Sequence, residues 1–176
     1  RDNGLAPLVI EGGLIGGTSS MVGVNSQWLT PILVAASMAK ENSIIDITTE
    51  MSEIPYINMT LGMMKQAGVS VDHENYRKYM ITGGQKFQPT EIQIPGDWGT
   101  SRYPMMASTI TYSKVTFNNL YTKDYAGETQ FIDVLKAMGA DVEVVDEGRG
   151  GITVSGGKKL QGIEIDCSGT PDAVPV

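Results

Sequence analysis

Cysteine, histidine and long apolar runs are what this 176-residue chain has least of. Cys167 is the single cysteine, so an internal disulfide and a cysteine-built metal centre are excluded. His73 is the single histidine, which argues against a histidine-based nucleophile triad or a zinc site; between Asp72 and Glu74 it reads as a solvated turn residue. No metal and no cofactor is expected. No apolar stretch reaches the ~18 residues that span a bilayer, and no signal-peptide pattern is visible. Basic residues are also in deficit: 13 Lys and Arg stand against 20 Asp and Glu, for a net charge of -7. That balance argues against nucleic acid or an anionic membrane as the main partner. A small anionic ligand remains compatible, because it needs only a local cluster of donors. The chain starts at Arg1 rather than at a methionine and ends in "TPDAVPV", so a segment of a longer protein is expected.

Hydrophobic residues make up 41% and charged residues 19%, a composition that folds. Within it the chain repeats itself. Thr60 to Val71, "TLGMMKQAGVSV", matches Phe131 to Val142, "FIDVLKAMGADV", with Gly68 and Gly139 set 71 residues apart. "ITGG" from Ile81 answers "VSGG" from Val154 at an offset of 73, and "SQWLTPILVAA" from Ser26 answers "TSRYPMMASTI" from Thr100. Two copies of a unit of roughly 70 residues are expected.

Each copy reads as helix, strand, helix, strand, strand, preceded by a leading strand. The helices are predicted at 26–39, 55–67, 100–111 and 127–138. The strands are predicted at 43–48, 69–72, 78–82, 114–118, 141–145 and 150–155, with leading strands at 8–11 and 91–95. Gly68 and Gly139 stand where a glycine ends a helix, and Pro55 suits a first helical turn, where no N–H is needed. Repeated crossovers of this kind define an α/β class with partly parallel sheets. Met59, Met63 and Met64 fall at helical spacing and read as core. "GGQKFQPTE" (83–91) reads as a linker. The expected division is therefore 1–83 as the last unit of one domain, 84–91 as hinge, and 92–176 as the first unit of another domain and the start of a third unit.

Three segments place polar residues ahead of a helix: Asn25, Ser26 and Gln27; Ser52 before Pro55; and Asp97, Thr100 and Ser101. Unpaired N–H groups and the helix dipole at such ends favour phosphate or carboxylate. The same residues serve equally as plain N-caps. The glycine-rich "EGGLIGG" (11–17) lacks the spacing and the lysine of a P-loop and reads as a tight turn between strands. Tyr56 lies at the start of a helix, and Asp172 follows Pro171 where a strand ends, a place where carboxylates often serve α/β active sites.

The ordered set "PLVIEGG", "SQWLT", "IPYINMTLGMM", "GGQKF", "PGDWGTSRY", "VLKAMGADV", "GIEID" and "PDAVP" resembles the EPSP synthase family over essentially the whole chain. The resemblance implies the enolpyruvyl transferase fold, an inside-out α/β barrel of repeated helix–strand units, with about two units here and the start of a third. It implies transfer of the enolpyruvyl group of phosphoenolpyruvate to the 5-hydroxyl of shikimate 3-phosphate, with release of phosphate, in a cytoplasmic enzyme, or a plastid one in a plant.

By the same resemblance Ser26 matches a serine that binds the shikimate phosphate, Asn25 stands where the first such serine is usual and can still donate to the phosphate, and Gln27 lies between the substrates. Tyr56 lies beside the phosphate, and Asp172 binds the shikimate hydroxyls and is a proton-transfer group. The usual Ser-Lys-Pro-Tyr is here Ser52-Glu53-Ile54-Pro55-Tyr56, so either Ser52 is displaced or Glu53 stands in the serine position, where it would repel a phosphate. Arg102 carries no assigned role. The Lys and Arg that hold phosphoenolpyruvate in the family have no counterpart in this chain, so the 176 residues alone are expected to turn over little and to need the remaining segments of the enzyme. A diverged, non-catalytic module and the sister UDP-N-acetylglucosamine enolpyruvyl transferase are the alternatives.

Overall fold

The computed structural model describes residues 9, 11–122, 129–146, 151–167 and 173–174. In chain order these form β1 (Gly17–Met21), α1 (Ser26–Ser37), β2 (Ser43–Ile47), α2 (Ile54–Gln66), β3 (Asp72–Glu74) and β4 (Lys78–Ile81). After a stretch without helix or strand come α3 (Trp98–Ile110), β5 (Lys114–Phe117), α4 (Gln130–Ala137), β6 (Asp141–Asp146) and β7 (Gly151–Ser155). The strands make two sheets, in the orders β1-β2-β4-β3 and β5-β7-β6. The second order reproduces the β2-β4-β3 part of the first, so the sequence repeat is a repeat of topology. Among the described residues only β1 and β2 run parallel; the other four pairings, β2–β4, β3–β4, β5–β7 and β6–β7, are antiparallel.

Local chemistry sets the element ends. Asn25 caps α1 by accepting from the Gln27 N–H at 2.6 Å, and Asp97 caps α3 by accepting from the Gly99 N–H at 3.0 Å. Gly68 and Gly139 end α2 and α4 at φ of +79° and +95°. Each donates to a lysine carbonyl three residues back, while Val69 and Ala140 donate to Met64 and Leu135; this closes the last orphan carbonyls of a helix. Pro31 and Pro104 lie inside α1 and α3 at matching places in the repeat; each removes one helical hydrogen bond near the start of its helix. The unit around β1–β4 buries Leu29, Leu33, Ile45, Ile57, Tyr79 and Ile81, and the unit around β5–β7 buries Trp98, Met105, Leu135, Ile152 and Val154.

Several expectations change. No strand covers the described residues near 8–11; the strand beside β2 is β1, which starts at Gly17, so "EGGLIGG" leads into a parallel pair rather than turning between two strands. No strand forms at 91–95 either. There the Asn119 side-chain amide donates to the Ile94 carbonyl, and just beyond, the Gly96 N–H donates to the Asn119 carbonyl, both past the end of β5. His73 lies in β3, half-buried, with its ring stacked on Tyr76 at 4.5 Å. The turn that follows, with Asn75 and Tyr76 at positive φ, is two residues later than a turn at His73 requires. Met64 is buried, but Met63 is 42% exposed, because it falls on the outer side of α2. Among the described residues, no helix is long and apolar enough to cross a membrane.

The Asp97 carboxyl sits below its ordinary pKa, first because the Thr100 hydroxyl donates to it, then through the backbone N–H groups of Thr100 and Gly99 and the nearby Arg102 charge. A carboxylate whose folded pKa is depressed adds stability above its unfolded pKa of about 3.9, and that stability is lost as pH falls through the folded value. Asp97→Ala is expected to cost about 0.5–2 kcal/mol at pH 7. In urea denaturation the gap between wild type and variant should narrow below about pH 4; a gap that persists unchanged in acid contradicts the assignment.

Candidate functional site

β1 and β2 end side by side, with Met21 opposite Ile47. The loops that leave these carboxyl ends run directly into α1 and α2. This is where open α/β sheets place ligands. The loops are tied to each other: Thr48 N–H donates to the Met21 carbonyl at 2.9 Å, Gly23 N–H to the Thr49 hydroxyl at 2.9 Å, and Ser52 N–H to the Gly23 carbonyl at 2.9 Å. Arg77 braces the second loop from β4's leading turn by donating Nη1 to the Thr49 carbonyl at 2.6 Å. Gly23 leaves no alternative residue at its place, since a Cβ there would lie 2.9 Å from the Glu50 carbonyl carbon and from Ile47 Cγ2. Thr49, Arg77 and Gly23 were not legible as site residues in the sequence, because their part is to hold loops distant in the chain.

This scaffold brings Asn25, Ser26, Gln27, Ser52 and Tyr56 to one end of the first sheet. Their states differ. Asn25 is half-buried, and its side-chain oxygen is engaged in capping α1. Gln27 is exposed at the start of α1. Ser52 is exposed. Tyr56 is half-buried in the first turn of α2. Ser26 is 4% exposed. Its N–H and its hydroxyl both donate to one oxygen of Glu53, at 3.0 and 2.7 Å. Of the two residues that could stand in the serine position of the second loop, Glu53 is therefore the one whose side chain reaches α1. Asp172 lies outside the described residues. Arg102 is fully buried, 5.7 Å from the centre of the Phe131 ring, and belongs to the core of the second unit.

Chemically, the α1 N-terminus offers hydrogen-bond donors suited to an oxyanion. Among the described residues, no group of three or more His, Cys, Asp or Glu could hold a metal ion. A separate cavity of about 650 Å³ lies against α2 and β3, lined in part by Asn58, Lys65, Asp72 and His73, and none of the predicted site residues among the described ones lines it.

This helix–strand order, repeated in two units, is shared with enolpyruvyl transferases of known structure, and the chain has that class of fold. EPSP synthase from Acinetobacter baumannii superposes with a TM-score of 0.72 at 24% identity, over 93% of this chain and 37% of that one. The enolpyruvyl transferase NikO from Streptomyces tendae gives a TM-score of 0.58 at 12% identity, over 82% of this chain and 35% of that one.

The chain belongs to the EPSP synthase family: the family model for EPSP synthase (3-phosphoshikimate 1-carboxyvinyltransferase) matches residues 1–176. Curated relatives bearing the name 3-phosphoshikimate 1-carboxyvinyltransferase include those of Methanococcoides burtonii, 36% identical, and Methanosarcina acetivorans, 37% identical. Each alignment covers 99% of this chain and 41% of the relative. That of Ruminiclostridium cellulolyticum is 33% identical over 99% of this chain and 40% of the relative. The chain thus spans about two fifths of the length of the curated relatives it matches.

Proposed function

We propose that the complete protein containing this chain is a 3-phosphoshikimate 1-carboxyvinyltransferase, joining the enolpyruvyl group of phosphoenolpyruvate to the 5-hydroxyl of shikimate 3-phosphate. The observation that carries this reading is the family match across residues 1–176. It also favours this activity over that of the sister UDP-N-acetylglucosamine enzyme. In this reading the substrate 5-hydroxyl adds to phosphoenolpyruvate, a tetrahedral intermediate forms, and phosphate leaves.

The α1 N-terminus receives the shikimate phosphate: Ser26 supplies an N–H and a hydroxyl, Gln27 reaches between the substrates, and Asn25 holds the helix start as its cap. Tyr56 and Ser52 bound the same pocket from the second loop. Asp172 takes the shikimate hydroxyls and the proton. The cations that stabilise the phosphate-rich intermediate are assigned to the remaining segments of the enzyme. Residues 84–91 act as the crossover between two domains, consistent with the break between the sheet that ends at Ile81 and the helix that starts at Trp98.

Calorimetric titration of shikimate 3-phosphate into the complete protein tests the reading. Saturable binding is expected, followed by steady phosphate release once phosphoenolpyruvate is added. The 176 residues alone should release little or none. The carboxylate seated on Ser26 favours a second reading, a family member that no longer catalyses; absence of both binding and turnover in the complete protein would select it.

A further inference from the structure

Glu53 is placed where an anionic ligand of α1 would sit. One carboxylate oxygen accepts from both the N–H and the hydroxyl of Ser26. Ser26 is 4% exposed, so these donors are largely shielded from water. α1 has no acidic residue in its own first turn; Glu53 supplies from another loop the negative charge that a helix N-terminus favours.

The backbone holds it there. Glu53 has φ of +57° and ψ of +38°, a left-handed conformation uncommon for a residue with a side chain. Its own carbonyl accepts from the Tyr56 N–H at 3.1 Å and so starts α2, with Pro55 setting the next turn. The residue is thus committed to α2 by its main chain and to α1 by its side chain.

We propose that Glu53 is an internal anion that competes with the ligand's phosphate for Ser26 and thereby sets how strongly the protein discriminates phosphorylated from unphosphorylated ligand. This rests on the reading that shikimate 3-phosphate docks at the α1 N-terminus. A phosphate oxygen needs the two donors that the carboxylate holds, and two anions cannot share them. Binding therefore requires the Glu53 side chain to leave Ser26 and turn to solvent. An unphosphorylated ligand, which leaves that corner empty, requires no such movement.

The test is a calorimetric titration of the complete protein, wild type, Glu53→Ser and Glu53→Gln, with shikimate 3-phosphate and separately with shikimate. Both substitutions should tighten shikimate 3-phosphate by about tenfold or more, the scale of one hydrogen bond to a charged group. Shikimate affinity should change by less than about twofold, because its complex does not displace the carboxylate. Glu53→Gln keeps the side-chain shape, so it carries the comparison if Glu53→Ser lowers the thermal midpoint. Equal affinities in wild type and variants overturn the proposal, since the carboxylate then moves aside without cost. Weaker phosphate-ester binding in both variants also overturns it and makes Glu53 part of the binding surface. Failure of the underlying reading looks different: neither compound then binds any of the three proteins.

Discussion

Gly83→Ala and Gly156→Ala are each expected to destabilise the protein by about 3 kcal/mol, at the upper end of the cost of overpacking a tight site. These glycines are the repeated pair in "ITGG" and "VSGG", and the fold explains why both copies need one. At the exit of β4 the chain crosses under the end of α1. Gly84 N–H donates to the Ala39 carbonyl at 2.6 Å and Gln85 N–H to the Ser37 carbonyl at 2.9 Å. A Cβ on Gly83 would meet the Glu41 carbonyl oxygen, with the Glu41 carbonyl carbon at 2.6 Å and the Ala39 oxygen at 2.8 Å.

At the exit of β7 the arrangement recurs. A Cβ on Gly156 would meet the Ser108 carbonyl oxygen, with Tyr112 Cα at 2.8 Å and the Thr109 oxygen at 2.9 Å. All these obstacles are backbone atoms, which cannot swing away as a side chain can. Gly84→Ala is the informative control. It has φ of +70° but nothing within 4 Å of its would-be Cβ, so only the left-handed backbone cost of about 1–2 kcal/mol applies. Urea unfolding of the three variants should rank Gly83 and Gly156 well above Gly84. Equal losses at all three would show that conformation, not close approach, selects these glycines.

Leu33→Ala should cost about 2–5 kcal/mol, the range for removing a fully buried leucine. Leu29, Leu33 and Ala36 recur at the spacing of one helix face and are 0, 0 and 1% exposed. They press α1 into the cluster with Ile45, Ile47, Ile57 and Ile81. Ile32, one position earlier and 38% exposed, should lose less on truncation to alanine, since part of its surface stays in water on folding. The same face fixes where the N-terminus of α1 points. If the proposed docking of the phosphate at Ser26 holds, Leu33→Ala should therefore weaken that binding in the complete protein beyond what Ile32→Ala does. Matching stabilities for the two variants would remove Leu33 from the core.

Much of this was legible before any coordinates. Gly68 and Gly139 marked helix ends because a left-handed residue closes a helix locally. The duplicated glycines, prolines and amphipathic runs set the unit and its length because each answers to its own neighbours in the chain. The leading strands were misplaced because pairing, not propensity, makes a strand. Residues 91–95 have an extended, apolar-alternating look, yet pair with no described strand, and the Ile94 carbonyl is held by the Asn119 side-chain amide instead. Gly17–Met21, glycine-led and polar, becomes a strand because β2 offers it a full parallel edge. His73 was read from its charged neighbours, while its surroundings are the rings of Tyr76 and Tyr79 across the hairpin.

The site divides in the same way. By itself the sequence determined the family, the α/β repeat, the capping role open to Asn25 and the ambiguity between Ser52 and Glu53. Only the tertiary structure shows which side chain of that pair reaches Ser26. Ser26 and Glu53 are 27 residues apart, and whether a carboxylate that far along the chain reaches a buried serine depends on the parallel pairing of β1 with β2 and the joint exit of their loops. Local rules govern helix ends and turns because their partners lie within a few residues. An anion seated on a helix N-terminus from another loop answers to no local rule, and its position follows from the packing of the two helices on one sheet.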